Sequence, residues 1–431
     1  MIASRGRAFA WIHRLQDSIR PVGPMFSVLL PSKDRLHLLQ HAIASVVAQH
    51  EESVEIIVAD NASADDYASY LGRLSGIVVR HTRCDNPVSV TANWNRALDL
   101  ARGEYVIMLG DDDALVPHLL QNLKIAIERF NKPDVVYMMA YHYAYPGVFS
   151  HTPSGYFCTV NNSPLFDISK QPFLLNRDTG QRLARQAFRF RHHISFNAQH
   201  YVWKRSFLQR MRQPTGFFQS PYPDFYASFV TFLSDARIVV VPSPQVIIGI
   251  SKNSFGFYFA NGRQQEGAQA FLTETTPDAD LAGGDETVLQ ALRISGSLHY
   301  RNWMIAALIA RQALSPELGL QIDLRRYRRI QSMELAFEAG FAKTLSHAEA
   351  WRQIDAADPR DRPFMKRMLR LFMTFDRMQA IPRHVVQPSM MALANIHHPP
   401  TIISHDIGQH QTIMDAYHWL EANPGQPMLL P

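Results

Sequence analysis

Between Phe26 and Tyr145, five short apolar runs alternate with segments of helical period. The runs are FSVLLP from Phe26, VEIIVAD from Val54, GIVVRH from Gly76, EYVIMLG from Glu104 and DVVYMMAY from Asp134. The first intervening segment carries Leu36, Leu39, Ile43, Val46 and Val47 at helical spacing. Asn61, Ser63, Ser89 and Thr91 stand where later helices need caps. Continuous apolar strands joined by helices imply a sheet covered on both faces, because parallel strands need crossover connections. The expectation for residues 25–145 is therefore a Rossmann-like α/β unit with a mostly parallel sheet. In such sheets ligands lie at the carboxyl ends of the strands. Ser32 and Lys33 follow the first strand, Asp60 ends the second, and Asp111, Asp112 and Asp113 follow the fourth.

The rest of the chain is organised differently. Residues 146–200 are irregular and rich in Pro, Asn, Ser and Phe. ARIVVVP and QVIIGI then read as returning strands. After the linker-like stretch NGRQQEGAQAFLTETTPDADLAGG the pattern turns helical. The expected division is an N-terminal extension over 1–24, a catalytic unit over 25–260 with halves 25–145 and 146–260, and a mainly α-helical C-terminal domain over 285–431. The tail from Thr401 reads as one strand and one helix. Phe9, Ile12, Leu15 and Ile19 in the extension would share one helix face, with Arg5, Arg7, Arg14 and Arg20 elsewhere, a pattern compatible with peripheral membrane contact.

Composition bounds the function classes. An apolar fraction of 46% with 19% charged residues is that of a globular chain. Lys and Arg number 43 against 38 Asp and Glu, an excess too mild to argue for nucleic acid but favourable to phosphates. Two cysteines without CxxC spacing, Cys84 and Cys158, exclude a disulfide framework and fit a reducing cytoplasm. No apolar run approaches the ~18–20 residues of a membrane span, and the N-terminus has no secretory h-region.

Three adjacent acids after a buried strand admit three readings: ligands of a divalent cation, an acid–base pair, or first-turn acids of the next helix. A cap needs one or two acids, and adjacent carboxylates raise one another's pKa unless a cation neutralises them. Mg²⁺ or Mn²⁺ combines carboxylates with substrate phosphate oxygens and would relieve this. No GxGxxG follows the first strand and no GxxxxGK[ST] occurs, so dinucleotide and P-loop chemistry lose their main signals.

The segments Pro31–Arg35, Ser45–Gln49, Glu55–Asp65, Ala101–Tyr105 and Asp111–Asp113 together resemble the family-2 glycosyltransferases of GT-A fold. The resemblance spans roughly residues 26–130. It implies a metal-dependent, inverting transfer of a sugar from a nucleotide-sugar, most commonly a UDP-sugar, to a glycan or lipid-linked acceptor. It places Pro31 and Ser32 beside the nucleobase, Asp60 as acceptor of a base hydrogen bond, Asn93 in the nucleotide pocket wall, Asp112 near the ribose or first phosphate, and Asp111 and Asp113 on Mn²⁺ or Mg²⁺. A cytoplasmic location, at the inner face of the membrane where the acceptor is lipid-linked, follows from the same resemblance. The QxxRW signal of processive synthases is missing.

Inverting transfer requires a carboxylate to take the acceptor proton. The candidate is Asp224, in a helix-start context after Pro221 and Pro223; the Glu-Asp pair usual in the family is absent. A helix N-cap is the alternative role for Asp224, and Asp235 is a second candidate base. His192, His193 and His200 lie in a basic, aromatic segment that reads as acceptor contact rather than zinc site, and 250–258 reads as a lid. Two rival functions remain: a nucleotidyltransferase, and a nucleotide-sugar binding module without transfer.

Overall fold

The computed structural model describes residues 23–260, 263–271, 276–342, 345–378 and 400–424. The N-terminal extension expected over 1–24 lies almost wholly outside these residues. The first unit begins β1 (Phe26–Ser32), α1 (Leu36–Val47), β2 (Val54–Asp60), α2 (Tyr67–Leu71), β3 (Val78–Arg83), α3 (Val90–Asp99), β4 (Tyr105–Met108). β5 (Ala114–Leu115), α4 (Leu119–Arg129) and β6 (Val135–Ala144) follow. These match the alternation read from the sequence. β3, β2, β1 and β4 lie side by side, all parallel.

Beyond β4 the sheet becomes mixed. β7 (Tyr156–Asn161), β8 (Phe173–Leu174), α5 (Arg177–Ala187), β9 (Tyr201–Lys204), α6 (Arg205–Arg210), α7 (Pro223–Leu233) and β10 (Ile238–Ile250) come next in the chain. β9 inserts antiparallel between β4 and β6. β10 runs parallel along β6 from Val135 to Ala144, with register shifts around Pro244. The two returning strands expected over 236–250 are thus one long strand, irregular where the prolines remove ladder donors.

Alternate residues of each strand feed two cores, as the two-residue strand period requires. Leu29, Ile57, Val106 and Tyr137 face one cluster; Val28, Leu30, Ile56, Ile107 and Met138 face the other. The first cluster includes Trp203, whose indole N–H donates to Thr231 Oγ1 at 3.0 Å, both residues fully buried.

The helical region comprises α8 (Phe255–Ala260), α9 (Gln264–Ala270), α10 (Asp278–Ala282), α11 (Glu286–Leu292), α12 (Leu298–Ala313), α13 (Leu324–Phe337), α14 (His347–Ala356) and α15 (Arg362–Met378). It is not a separate domain. α12 packs on α7, and its Trp303, Met304 and Ala307 belong to the same core as β4 and β9. Nor does the C-terminal segment stay helical. β11 (Thr401–His405) pairs antiparallel with β7 at the sheet edge, and α16 (Ile413–Ala422) packs on α1 and β5. The strand and helix read from the tail are present, but they rejoin the first unit, which corrects the division drawn at 285–431.

The Trp203–Thr231 pair gives a direct test of this shared core. Thr231→Val keeps the side-chain shape and leaves a buried indole N–H without an acceptor, so urea unfolding is expected to show a loss of about 1–3 kcal/mol.

Candidate active site

The carboxyl ends of β1, β2 and β4 converge as expected, and each end is bolted to its neighbours. Ser32 Oγ donates to Asp111 Oδ2 at 2.5 Å and lies 2.7 Å from Tyr67 Oη of α2. The Leu36 amide donates to Asp65, and the Ala64 amide to Asp34, so the loops after β1 and β2 cap each other. Pro31 sits half-buried opposite Ala59. Asp60 is fully buried; it accepts from the Ser63 amide at 2.8 Å and pairs with Arg83 at 2.7 Å. Asn93 donates to the Ala59 carbonyl and accepts from Arg96, tying α3 to β2. Ser32 and Asp60 therefore stand at the expected strand ends and Asn93 on α3 beside β2, with their polar atoms engaged within the protein.

The three adjacent carboxylates diverge. Asp111, fully buried, faces Ser32 and the Arg35 guanidinium, whose Nη2 is 2.8 Å from Oδ1. Asp113 accepts from three nitrogens: the Gly249 amide at 2.8 Å on Oδ1, and the Gly110 amide at 2.7 Å and Gln199 Nε2 at 2.6 Å on Oδ2. Asp112 accepts from Ser251 Oγ at 2.7 Å, with Arg35 Nη1 3.9 Å away. Of the trio, Asp112 keeps the most solvent contact, 7% against 0% and 2%.

Burial pushes the Asp113 carboxyl up, and the Asp112 charge adds to it, against the pull of the amide donors. Burial also raises Asp111, which Arg35 partly offsets. Burial disfavours the Arg35 charge, but Asp111 and Asp112 outweigh it and keep the guanidinium cationic. Arg35 also donates to the Asn253 carbonyl at 3.5 Å, so it joins the β1 loop, the trio and the 250–258 segment.

The helix-cap reading of the trio does not hold, because α4 starts at Leu119 with His118 at its N-cap. A cation shared by Asp111 and Asp113 does not fit either. Their carboxylates point at different partners, and both oxygens of Asp113 are occupied. Among the described residues no group of three or more His, Cys, Asp or Glu is gathered as metal ligands. The arrangement fits a cation touched by Asp112, since Mg²⁺ commonly takes one or two carboxylates and completes its shell with substrate phosphates and water. Glycine is required beside the trio. A Cβ on Gly249 would lie 1.8 Å from the Asp112 carbonyl oxygen, and one on Gly110 2.5 Å from Asp113 Oδ2.

Asp224 occupies the first turn of α7, where Tyr222 is the N-cap, so it is not the cap itself. It is partly exposed and its Oδ1 accepts from the Phe225 amide. Burial pushes its carboxyl up to about 7. The turn at Ala198–His200 links the two sites: Gln199 holds Asp113, and Ser228 of α7 donates to the Phe196 carbonyl. Asp235 is exposed and lies 3.9 Å from Arg210, which removes it as a base in a protected site. His200 is buried against the Met138 carbonyl, a structural role.

Arg35, Gln199, Gly249, Ser251 and His299 are residues of the site that sequence reasoning did not single out. Arg35 lies inside the Pro31–Arg35 motif, which was its available signal. His299, from α12, lies against Tyr222 and Phe225 with ring centroids 5.6 Å apart, beside the Asp224 turn. No local pattern marks it.

These features define an α/β strand-end site rich in carboxylates, with a further carboxylate of raised pKa on α7. Residues 27–208 match the family model described as glycosyl transferase family 2. The chain is 35% identical over 103 residues to the GalNAc(5)-diNAcBac-PP-undecaprenol beta-1,3-glucosyltransferase of Campylobacter jejuni, covering 23% of this chain and 33% of that protein. It is 30% identical over 118 residues to an uncharacterized protein of Mycobacterium tuberculosis, covering 27% and 36%. The chain thus spans about a third of the length of these curated relatives. The crystal structure of S. aureus TarS 1–349 in complex with UDP-GlcNAc aligns with 83% of this chain and 93% of that one, at 14% identity and a TM-score of 0.46.

The divergent partners separate a fully engaged acid, Asp113, from one with a single hydroxyl donor, Asp112. Asp113→Asn turns an amide NH₂ or a neutral oxygen toward three donors and is expected to cost about 2–3 kcal/mol in denaturant unfolding. Asp112→Asn is expected to leave the unfolding midpoint close to that of the parent protein.

Proposed function

We propose that the chain transfers a sugar from a nucleotide-sugar, a UDP-sugar in the first instance, to a hydroxyl of a glycan or lipid-linked acceptor. The observation that carries the reading is Asp112: within the segment that matches the family-2 model, it is the strand-end carboxylate that keeps the most solvent contact. Asp112 is the residue that would hold Mn²⁺ or Mg²⁺ when the donor diphosphate binds. The bound cation supplies charge neutralisation for the departing diphosphate. Asp111 and Asp113 hold Asp112 in place through the backbone they anchor, and Arg35 adds positive charge on the same side.

Asp224 is the proposed base. A carboxyl titrating near neutrality is matched to taking a hydroxyl proton at working pH. The acceptor oxygen attacks the anomeric carbon, its proton passes to Asp224, and the bond from that carbon to the diphosphate oxygen breaks. The nucleoside diphosphate leaves, and attack opposite the leaving group inverts the centre. The lipid-linked acceptor class is supported by the Campylobacter relative, which is named as a glucosyltransferase for an undecaprenol diphosphate-linked saccharide. No described helix is long and apolar enough to cross a membrane. We place the activity at the inner face of the membrane, where a cytoplasmic enzyme meets such an acceptor.

The test is nucleoside diphosphate release from a panel of UDP-sugars with Mn²⁺. Parent protein is expected to release UDP on a suitable acceptor, and Asp112→Asn and Asp224→Asn each to lower kcat by at least about 100-fold. Pyrophosphate release would make the chain a nucleotidyltransferase, and donor binding without turnover on any acceptor a binding module; either result removes the proposal.

Asp224 also predicts opposite trends of activity and stability with pH. Transfer requires its ionised form, so kcat/KM is expected to fall as pH drops below about 7. Its folded pKa lies above the ordinary 3.8, so the folded state keeps a proton that the unfolded chain loses. Its contribution to stability is therefore fully present below about pH 4 and is lost as pH rises through about 7. Asp224→Asn is expected to raise the melting temperature relative to the parent protein more at pH 8 than at pH 5, by differential scanning fluorimetry.

A further inference from the structure

Helix α15 buries one apolar face, and among the described residues a second is only partly covered: Phe364 and Met368 are half-buried and Leu371 is exposed. Met365, Leu369 and Phe372 are buried against the end of α13, where Phe372 meets Phe337 at 5.9 Å between ring centroids. The second face carries Phe364, Met368 and Leu371, at i, i+4 and i+7. With Arg367, Arg370 and Thr374 they line a shallow groove of about 340 Å³. Leu371 is 42% exposed, high for a leucine on a packed helix.

The cations of this region divide sharply. Lys366 lies over the Trp351 ring and 3.2 Å from Asp355, Arg328 pairs with Asp358 and Asp361, and Arg362 donates to the Ala357 carbonyl. Arg367 and Arg370 have no ion-pair partner among the described residues. They are the two that flank the apolar stripe. The α15 sequence holds five Lys and Arg residues against the single acid Asp376.

We propose that this face of α15 docks on the surface of an anionic phospholipid bilayer. Phe364, Met368 and Leu371 enter the boundary between headgroups and acyl chains while Arg367 and Arg370 meet lipid phosphates. An apolar stripe edged by unpaired arginines has the two attractions such a surface offers, burial of apolar area and attraction of cations to negative headgroups. A soluble acidic protein would satisfy the arginines but not select for an aliphatic stripe at helical spacing. A second copy of this chain would set the four arginines of two facing helices against each other. The inference is independent of the transferase reading, since it uses no residue of the site.

Co-sedimentation of the full chain with vesicles decides the matter. Binding is expected to vesicles of equal parts phosphatidylcholine and phosphatidylglycerol, to weaken as salt rises, and to be at least about tenfold weaker to phosphatidylcholine alone. Arg367→Glu with Arg370→Glu is expected to weaken binding to the anionic vesicles by at least about tenfold, Leu371→Ser to weaken it at all salt concentrations, and Arg367→Lys with Arg370→Lys to retain it. Circular dichroism of each variant should match the parent protein, and UDP release on a water-soluble acceptor should be unchanged. Equal binding to both vesicle types, or undiminished binding by the charge-reversed variant, overturns the proposal. So does a dimer in light scattering that Leu371→Ser dissolves without any vesicle binding by the parent, which would assign the face to a second copy.

Discussion

Adjacent carboxylates removed from water repel strongly, because little solvent screens them. Residues 111–113 meet this constraint by sending each side chain to a different partner. Asp111 turns to Arg35 and Ser32, Asp112 to Ser251, and Asp113 to the amides of Gly110 and Gly249 with Gln199. The loop after β1, the turn before β9 and the end of β10 are thereby drawn to one point at the end of β4. The geometry of the site follows from that division of labour. Asp111 and Asp113 build the floor, and Asp112 keeps the most solvent contact of the three.

The same convergence explains why the catalytic and helical parts form one body. α7 carries Asp224 and rests on α12, whose Trp303 lies 5.5 Å from the Phe225 ring and whose His299 adjoins Tyr222. Burial holds His299 neutral, down to about 3, so it adds a polar but uncharged wall beside Asp224. The proposed acceptor side is thus built jointly by the first unit and the helices after it. α15 stands further out, in its own small cluster with α13 and α14, and its Arg367 and Arg370 are exposed with no ion-pair partner among the described residues. A membrane contact there would leave the site's own packing untouched.

The parallel half of the sheet was legible because each strand is a continuous apolar run bounded by turn residues. β5, β8 and β9 were not. They are two to four residues long and owe their strand conformation to β10, β4 and β6, which supply the ladder partners. The return of β11 to β7 was equally hidden, since a solvent-facing edge strand with Ile402 and Ile403 exposed reads the same wherever it docks. Arg35 was visible as part of a turn motif, but its service as counter-ion to Asp111 depends on residues brought together from 76 positions apart.

What the sequence determined by itself was local: which segments are strands or helices, that acids gather at the end of one of those strands, and that Asp224 opens a helix. Apolar period and turn chemistry encode such features within a dozen residues. Tertiary structure alone decided which of three consecutive aspartates is structural. The donors that occupy Asp113 and Asp112 come from Gln199, Gly249 and Ser251, which are 86, 136 and 139 residues away. Three identical side chains in a row carry no mark of their neighbours in space, and their roles separate only when the fold supplies different hydrogen-bond donors to each.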